Sequence, residues 1–515
     1  MSHPHYTIAP TRQEAGWKAL AVVLPFLILF WINIAHHTLF FDEVNAWAIS
    51  AASPNLSKLF YYVHYEGHPW LWYFILWFPS RLTHDPVALK WVEAAFGTAI
   101  IVVIGTLSPF TYKQRALILS GYFLVWEYTV MCRMYSVMLL LTLIYLWRRT
   151  RISDGLIANC ALLGLIGNTD MTGVLLSAAL LTEYAYTSYF GARQEERRAV
   201  VRRWIPAIAV YVALILFAVA TLWPSKGISW QSSGHLGSQA LSIRHIGQSA
   251  TNLIASPWWP IAASFPATFW RTTPQVPLRF VPLIAVVLFV YWRAFRRDRN
   301  LLILMATALV LGIAFADVVY VGNARNWGIV LVSFVAGLWM QAGQARSSGE
   351  NPKWSVWTYG LLGLSTLAGV FAMVGSWSHP FSRARATAVW LKENAPANVA
   401  IVGEPDVSIA SVAEEMARPV YFLECGCVDT FKLFARTREN FPETEMPMRL
   451  NRAMDDLHTQ ELLFVFYRPL NDQDTERLRE ANLTATHVRS FDGADMMTEN
   501  YFIYQVTREA VANNP

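Results

Sequence analysis

The chain has 515 residues, 54% of them hydrophobic and 14% aromatic, with a mean hydropathy of +0.31. That is membrane composition diluted by a soluble part. The formal charge of +5 supports no nucleic-acid partner, because basic loops between spans account for much of it, and no solenoid-type repeat of about 20–50 residues is present.

Apolar runs of about 16 to 22 residues recur from 19 to 377, the length a helix needs to cross roughly 30 Å of hydrocarbon. The first, 19-ALAVVLPFLILFWINIAH-36, lacks an A-x-A-like site and reads as an uncleaved helix. Basic clusters at 112-YKQR-115, 148-RRTR-151, 193-RQEERRAVVRR-203 and 293-RAFRRDR-299 mark cytoplasmic loops. With all four inside, helices run near 19–36, 88–110, 115–131, 133–148, 153–168, 172–190, 204–223, 279–294, 300–321, 326–342 and 355–377. The expectation is a polytopic α-helical membrane domain over 1–378 with eleven crossings, its N-terminus cytoplasmic. A soluble external α/β domain over 379–515 follows it. The membrane is the cell membrane, and in a Gram-negative cell (inner membrane) the outside is the periplasm. The stretch 69-PWLWYFILWFPS-80 is short for a span and rich in Trp and Tyr, so it reads as an interfacial or re-entrant helix in a first external loop, 37–87.

This topology puts the polar groups that look out of place on one external, membrane-level side, where charges are costly and mostly functional. Asp42 and Glu43 in 38-TLFFDEVNAWAIS-50 start a short interfacial helix, where carboxylates suit the helix dipole. A carboxylate at an apolar edge is also how a general base would be raised in pKa to take a proton from a hydroxyl. In 66-EGHPW-70, Pro69 suits a first helical position and Gly67 an unusual backbone angle; Glu66 and His68 are not required by either. A divalent metal held by Asp, Glu and His is an alternative that no ligand spacing specifies. Arg133, in 126-WEYTVMCRMY-135, is a lone external arginine that needs an anion, either Glu127 or a phosphate, and Arg325 in 316-ADVVYVGNARNWG-328 has the same need. Tyr135 either supports a phosphate or belongs to the aromatic belt. Asn168 and Asp170 lie in the turn 167-GNTDMTG-173 on the same side.

The external segment 224–278 carries an amphipathic pattern from Leu241 to Ile254, with Arg244 and His245 on it, that would cover a site, guide a lipid or plug the structure. The tail reads as helix 383–394, strand 398–403, helix 406–417, strand 419–423, and strands near 461–467, 484–491 and 500–506. It contains no glycine-rich phosphate loop, so acceptor recognition, a cap over the membrane site, or plain stabilisation are its expected roles. Cys132, Cys160, Cys425 and Cys427 make no zinc pattern. Cys425 and Cys427 are closer than usual for a disulfide, and free thiols are expected over a bridge.

Asp42-Glu43 after the first span, 66-EGHPW-70 closing the first external loop and 133-RMY-135 after the third crossing together resemble the GT-C integral-membrane glycosyltransferases. The similarity is to the family 39-type branch, which includes protein O-mannosyltransferases and the aminoarabinose transferase of lipid A. It covers about residues 15 to 190, and the later helices by general layout. The resemblance implies a polyprenyl-phosphate-linked sugar donor and a glycan, lipid or protein acceptor, with inversion at the sugar. It implies Asp42 as catalytic base with Glu43 beside it, and Arg133 on the donor phosphate. Glu43, Glu66 and His68 would shape the site or bind acceptor, and Glu127, Tyr135, Asp170 and Arg325, on the same side by topology, complete the expected substrate site. The form of 66-EGHPW-70 departs from the His-Pro-Pro or Lys-Pro of many relatives, which bears on sugar and acceptor rather than reaction class. Relatives differ in metal dependence, so no cofactor is implied and a divalent metal stays open. The rival readings are a lipid or sugar transporter and a membrane acyltransferase using His68 with Asp42. Against the first, no Gly/Pro-broken spans pair up between two halves and the charges gather at one surface rather than the midplane; against the second, no pattern in the sequence puts its histidine within a helix bundle fed by an acyl donor.

Overall fold

The computed structural model describes residues 16–152, 155–223, 243–260, 281–320, 322, 324–396, 398–434 and 441–509. Its first part is helical: α1 (Gly16–His36), α2 (Phe41–Ala52), α3 (Leu56–Val63), α4 (Leu71–Trp77), α5 (Ala88–Val102), α6 (Tyr112–Leu119) and α7 (Tyr135–Arg151) come first. They are followed by α8 (Leu156–Ile166), α9 (Met171–Gly191), α10 (Arg197–Leu222), α11 (Ile243–Ala255), α12 (Val281–Phe295), α13 (Arg299–Val318), α14 (Ala324–Ser347) and α15 (Val356–Ser378).

Among the described residues, six helical stretches are long and apolar enough to cross a membrane: α1, Ala88–Leu107, Gln194–Leu222, α13, α14 and α15. α8 and Pro282–Phe295 are apolar but shorter. The chain is thus a helical membrane protein carrying a soluble domain. α14 is the axis of the bundle: 83% of its apolar window is buried, against 28–44% for the other five. Each expected apolar stretch contains helix, but 115–131 is broken. α6 ends at Leu119 and a π-type turn occupies Phe123–Glu127. At the break the Tyr122 amide donates to Ser365 Oγ of α15 (3.2 Å), so a side chain replaces a helical carbonyl as its partner.

Between α1 and α5, the loop 37–87 folds into α2, α3 and α4. The apolar 69–80 stretch forms the short α4 and a 3₁₀ turn over Pro79–Arg81; its helix begins two residues after Pro69. Gly67 takes φ +71°, the left-handed turn expected of it. Trp70 Nε1 donates to Asn168 Oδ1 (2.6 Å) and Leu71 N to Asn168 O (3.3 Å), pinning the loop to the end of α8. Of the segment 224–278, residues 224–242 and 261–278 lie outside the described residues, as do the side chains of Arg244 and His245. α11 itself is packed into the bundle, with Leu253 and the following Trp258 fully buried and Trp258 Nε1 donating to Tyr291 Oη (2.9 Å).

The tail has α16 (Ala384–Asn394), β1 (Ala400–Glu404), α17 (Asp406–Met416), β2 (Val420–Phe422), β3 (Cys427–Asp429) and α18 (Met446–Asp456). β4 (Glu461–Phe466), α19 (Asp472–Glu480), β5 (Leu483–Phe491) and β6 (Tyr501–Arg508) complete it. One mixed sheet results, in the order β3-β2-β1-β4-β6-β5, with β1 parallel to β2 and β4. Apolar side chains fill both faces, around Ile409 and Ile503 on one and Leu450 and Phe464 on the other. Cys425 and Cys427 are disulfide-bonded, contrary to the expectation of free thiols. Gly426 at φ +59° turns the chain so that their Cα atoms lie 5.3 Å apart, within the bridging range.

The two parts are joined through α2. Phe41 is buried in the tail core with Ile409 and Ala413 of α17, and its amide donates to Glu499 Oε1 (3.1 Å). Glu499 also accepts from Ser382 Oγ and Tyr501 Oη, each at 2.8 Å. Burial outweighs these hydrogen bonds and pushes its carboxyl up to about 8.

Candidate active site

The charges of the loop 37–87 meet those of two later turns in a cleft of about 500 Å³. Asp42, Asn45, Glu66, His68, Tyr73, Arg133, Arg325 and Phe434 are among its walls. Asp42 sits in the first turn of α2, and its Oδ2 faces Arg133 Nη1 at 2.5 Å and Arg325 Nη1 at 3.1 Å. The Asp42 side chain keeps 27% exposure, while Arg133 is 5% and Arg325 17% exposed. Burial alone would raise the Asp42 carboxyl; the two guanidiniums outweigh it and hold it down at about 2. Glu127 and a phosphate are the anions expected for Arg133; of the protein's own carboxylates it is Asp42, not Glu127, that pairs with it. Glu127 is turned away and accepts from Tyr122 Oη (2.6 Å).

His68 connects Arg133 to Asp170. Arg133 Nη2 lies 3.2 Å from His68 Nε2, and His68 Nδ1 lies 3.2 Å from Asp170 Oδ2. A guanidinium can only donate, so Nε2 accepts and the ring proton sits on Nδ1, directed at Asp170. Asp170 is fixed in turn as the N-cap of α9, accepting from Thr172 N (2.8 Å) and Thr172 Oγ1 (2.5 Å). His68 therefore orients Arg133 and has no free nitrogen for Asp42, which removes the support for a His-Asp acyl-transfer pair.

Glu66 is the second carboxyl of the cleft. Its Oε2 accepts from Asn45 Nδ2 (3.2 Å) and Tyr73 Oη (3.4 Å), while Oε1 is buried without a hydrogen-bond partner. Burial pushes it up to about 8, so at neutral pH it is a protonated acid beside an ionised Asp42.

Besides Asp170, which is buried behind His68 and does not line the cleft, three more residues expected in the site stand behind it. Glu43 is fully buried, with His37 Nε2 2.8 and 2.9 Å from its two oxygens, and with the amides of Phe40 (3.0 Å) and Cys132 (2.6 Å) donating to it. Successive helical residues point about 100° apart, so Asp42 faces the cleft while Glu43 faces the core. Its place is structural, tying α2 to the turn that carries Arg133. Glu127 is the second. Tyr135 is the third: its ring stacks on Tyr128 at 4.9 Å and its hydroxyl accepts from Asn326 Nδ2 (3.2 Å), while Tyr128 Oη donates to Arg325 O (2.6 Å). The tyrosine pair thus braces the start of α14, where Arg325 sits. Tyr320 is exposed and lines no part of the cleft.

A cap over the site was among the roles expected of the tail; sequence reasoning missed Asn45, Tyr73 and the tail residues that reach the cleft, Lys432 and Phe434. Asn45 lies one turn after Asp42 on the same helix face, a spacing that could have marked it. Asn45 Oδ1 accepts from Lys432 N (2.9 Å) and its Nδ2 donates to Lys432 O (3.1 Å), so one side chain captures a peptide unit of the tail. Phe434 then closes one wall of the cleft, and Lys432 Nζ pairs with Glu424 (2.6 Å) within the tail.

Among the described residues, one group of His, Cys, Asp and Glu has metal-ligand spacing: His37, Glu43 and Cys132. It lies in the core behind the cleft, its glutamate already accepting from two amides, and Asp42, Glu66 and His68 form no such group. No protein-family model, curated protein or solved structure matches the chain.

Proposed function

We propose that the protein is a GT-C-type membrane glycosyltransferase that moves a sugar from a polyprenyl-phosphate donor to an acceptor hydroxyl of a glycan, lipid or protein. The observation that carries this reading is the single carboxylate, Asp42, held between buried Arg133 and half-buried Arg325 in a cleft beside the membrane spans. The chain would cross the membrane eleven times, with the cleft and tail on the external, periplasmic side of a cell membrane.

The chemistry follows from the charges. A lipid phosphate entering the cleft takes over Arg133 and Arg325, which are suited to bind it through paired donors. Losing both guanidiniums frees Asp42 and raises its basicity, so the base is activated when the donor is bound. The acceptor oxygen attacks the anomeric carbon while the carbon–oxygen bond to phosphate breaks. The leaving phosphate keeps the electron pair and is neutralised by the arginines; the hydroxyl proton goes to Asp42. Protonated Glu66 can donate to a sugar oxygen, and the tail, through Phe434, forms the wall on the acceptor side. A divalent metal is not needed for this balance of charge.

A transporter of lipid or sugar is the alternative. The clustering of charge at one end of α14, rather than at its middle, supports transfer over transport.

The test is polyprenyl phosphate release from a panel of polyprenyl-phosphate sugars by protein in lipid nanodiscs, with membrane extract as acceptor. Release by wild type and not by Asp42→Asn is expected. No release from any donor, together with donor movement across a sealed bilayer, would replace the reading with transport.

A further inference from the structure

α14 carries Arg325 into the cleft at one end, and about 24 Å away at the other end Leu338 and Gln341 line a second cavity. This cavity encloses about 630 Å³ where α12, α14 and α15 meet, on the opposite side of the helical layer from Asp42. Arg293, Arg296 and Arg297 at the end of α12 and Lys353 before α15 surround it. All four are exposed, and none forms an ion pair among the described residues. The nearest acids in sequence are Asp298 and Glu350. Asp298 accepts from Asn300 N, Leu301 N and Gln344 Nε2 as the cap of α13, and neither acid lines the cavity.

Basic residues on one side of a membrane protein are ordinary, since loop charge sets orientation. Their convergence on a cavity without a carboxylate is not explained by that rule. Trp354 also lines the cavity, with its Nε1 buried and without a hydrogen-bond partner. Ser355 and Thr358 stand at the start of α15, where helix amides favour an anion. Beside the cavity, exposed Trp292 and Trp357 flank Phe289, with Phe289 and Trp357 in edge contact at 5.6 Å and Arg296 over Trp292 at 5.4 Å. Such an aromatic and cationic rim belongs at the headgroup level of a bilayer, with the apolar faces of α12 and α15 beneath it.

We propose that this cavity binds the anionic phosphate headgroup of a membrane lipid in the leaflet opposite the Asp42 cleft, its chains lying along Phe289 and Trp357. The inference is independent of the glycosyltransferase reading. A free phosphate ion offers the same headgroup chemistry but gains nothing from the aromatic rim.

The test is native mass spectrometry of the whole protein released from nanodiscs of phosphatidylcholine with phosphatidylglycerol, counting retained phosphatidylglycerol. Arg293→Gln, Arg296→Gln and Lys353→Gln combined should lower retention about tenfold or more. The matched control, Arg198→Gln, Arg202→Gln and Arg203→Gln on the same side, should change it less than about twofold. Arg293→Lys, Arg296→Lys and Lys353→Arg combined should keep it, which separates charge from folding. Equal retention by the glutamine variant and the control would overturn the proposal. So would displacement of the lipid by inorganic phosphate at millimolar concentration, which would make the site one for the free ion.

Discussion

Near the two ends of α14, basic side chains stand in opposite states. At the Asp42 end, Arg133 is buried, Arg325 is mostly covered, and the two share one carboxylate oxygen; at the other, Arg293, Arg296, Arg297 and Lys353 are exposed and lack a carboxylate. Buried cations need compensating charge, because desolvation is expensive and a lone buried charge is not tolerated. Exposed cations need none, and a ligand reaches them without breaking an existing pair. A ligand phosphate at the first site must therefore exchange with Asp42, which couples its arrival to the release of a base. At the second site a phosphate simply adds. The difference separates a place built to react from a place built to hold.

The largest expected effect breaks the first site. Asp42→Asn keeps the shape but removes the base, and turnover should fall by about 10²–10⁴, measured as donor release per protein, with lipid retention at the far cavity unchanged. Arg133→Gln or Arg325→Gln should each lower turnover by about 10²–10³ through loss of phosphate stabilisation, and raise the donor KM as well. Equal loss in Arg293→Gln would erase the contrast between the two ends.

Glu66 sharpens the contrast through pH. Its folded pKa of about 8 lies above the ordinary 4.5, so the folded protein keeps a proton that the unfolded chain has lost in that window. The stability linked to this group is full below 4.5 and erodes as pH rises through about 8. Wild-type turnover should decline above about 8, whereas Glu66→Gln, which mimics the protonated acid, should hold its rate to higher pH in a pH–rate profile. The smallest effect is expected at Phe434→Ala. It opens the tail wall and should raise the acceptor KM by roughly three- to tenfold with little change in donor binding, as one lost apolar contact would.

Much of this arrangement could be read from the sequence. Period and length gave the helical stretches of the membrane part, and alternation gave strands β1, β2, β4, β5 and β6 within a few residues. One-sided placement of Asp42, Glu66, His68, Arg133 and Arg325 anticipated their meeting in the cleft. Glu43 was misread because adjacent carboxylates on a helix carry no mark of which faces the core; that depends on what packs there, here His37 and the Cys132 amide. At the break after α6 the Tyr122 amide finds its partner in Ser365, more than two hundred residues away in sequence. Likewise the Asn45 clasp on the Lys432 peptide joins positions 387 apart, with no local pattern to announce it. The Cys425–Cys427 bond depended on the left-handed turn at Gly426, which spacing alone did not reveal.

The central claim is that donor phosphate and Asp42 compete for the same two arginines. Equilibrium binding of a polyprenyl phosphate to wild type, Asp42→Asn and Arg133→Gln in nanodiscs tests it most directly. The account predicts that Asp42→Asn binds the lipid phosphate as tightly as wild type or tighter, although it turns over no donor, while Arg133→Gln binds it more weakly. Binding lost in Asp42→Asn as far as in Arg133→Gln would contradict the account.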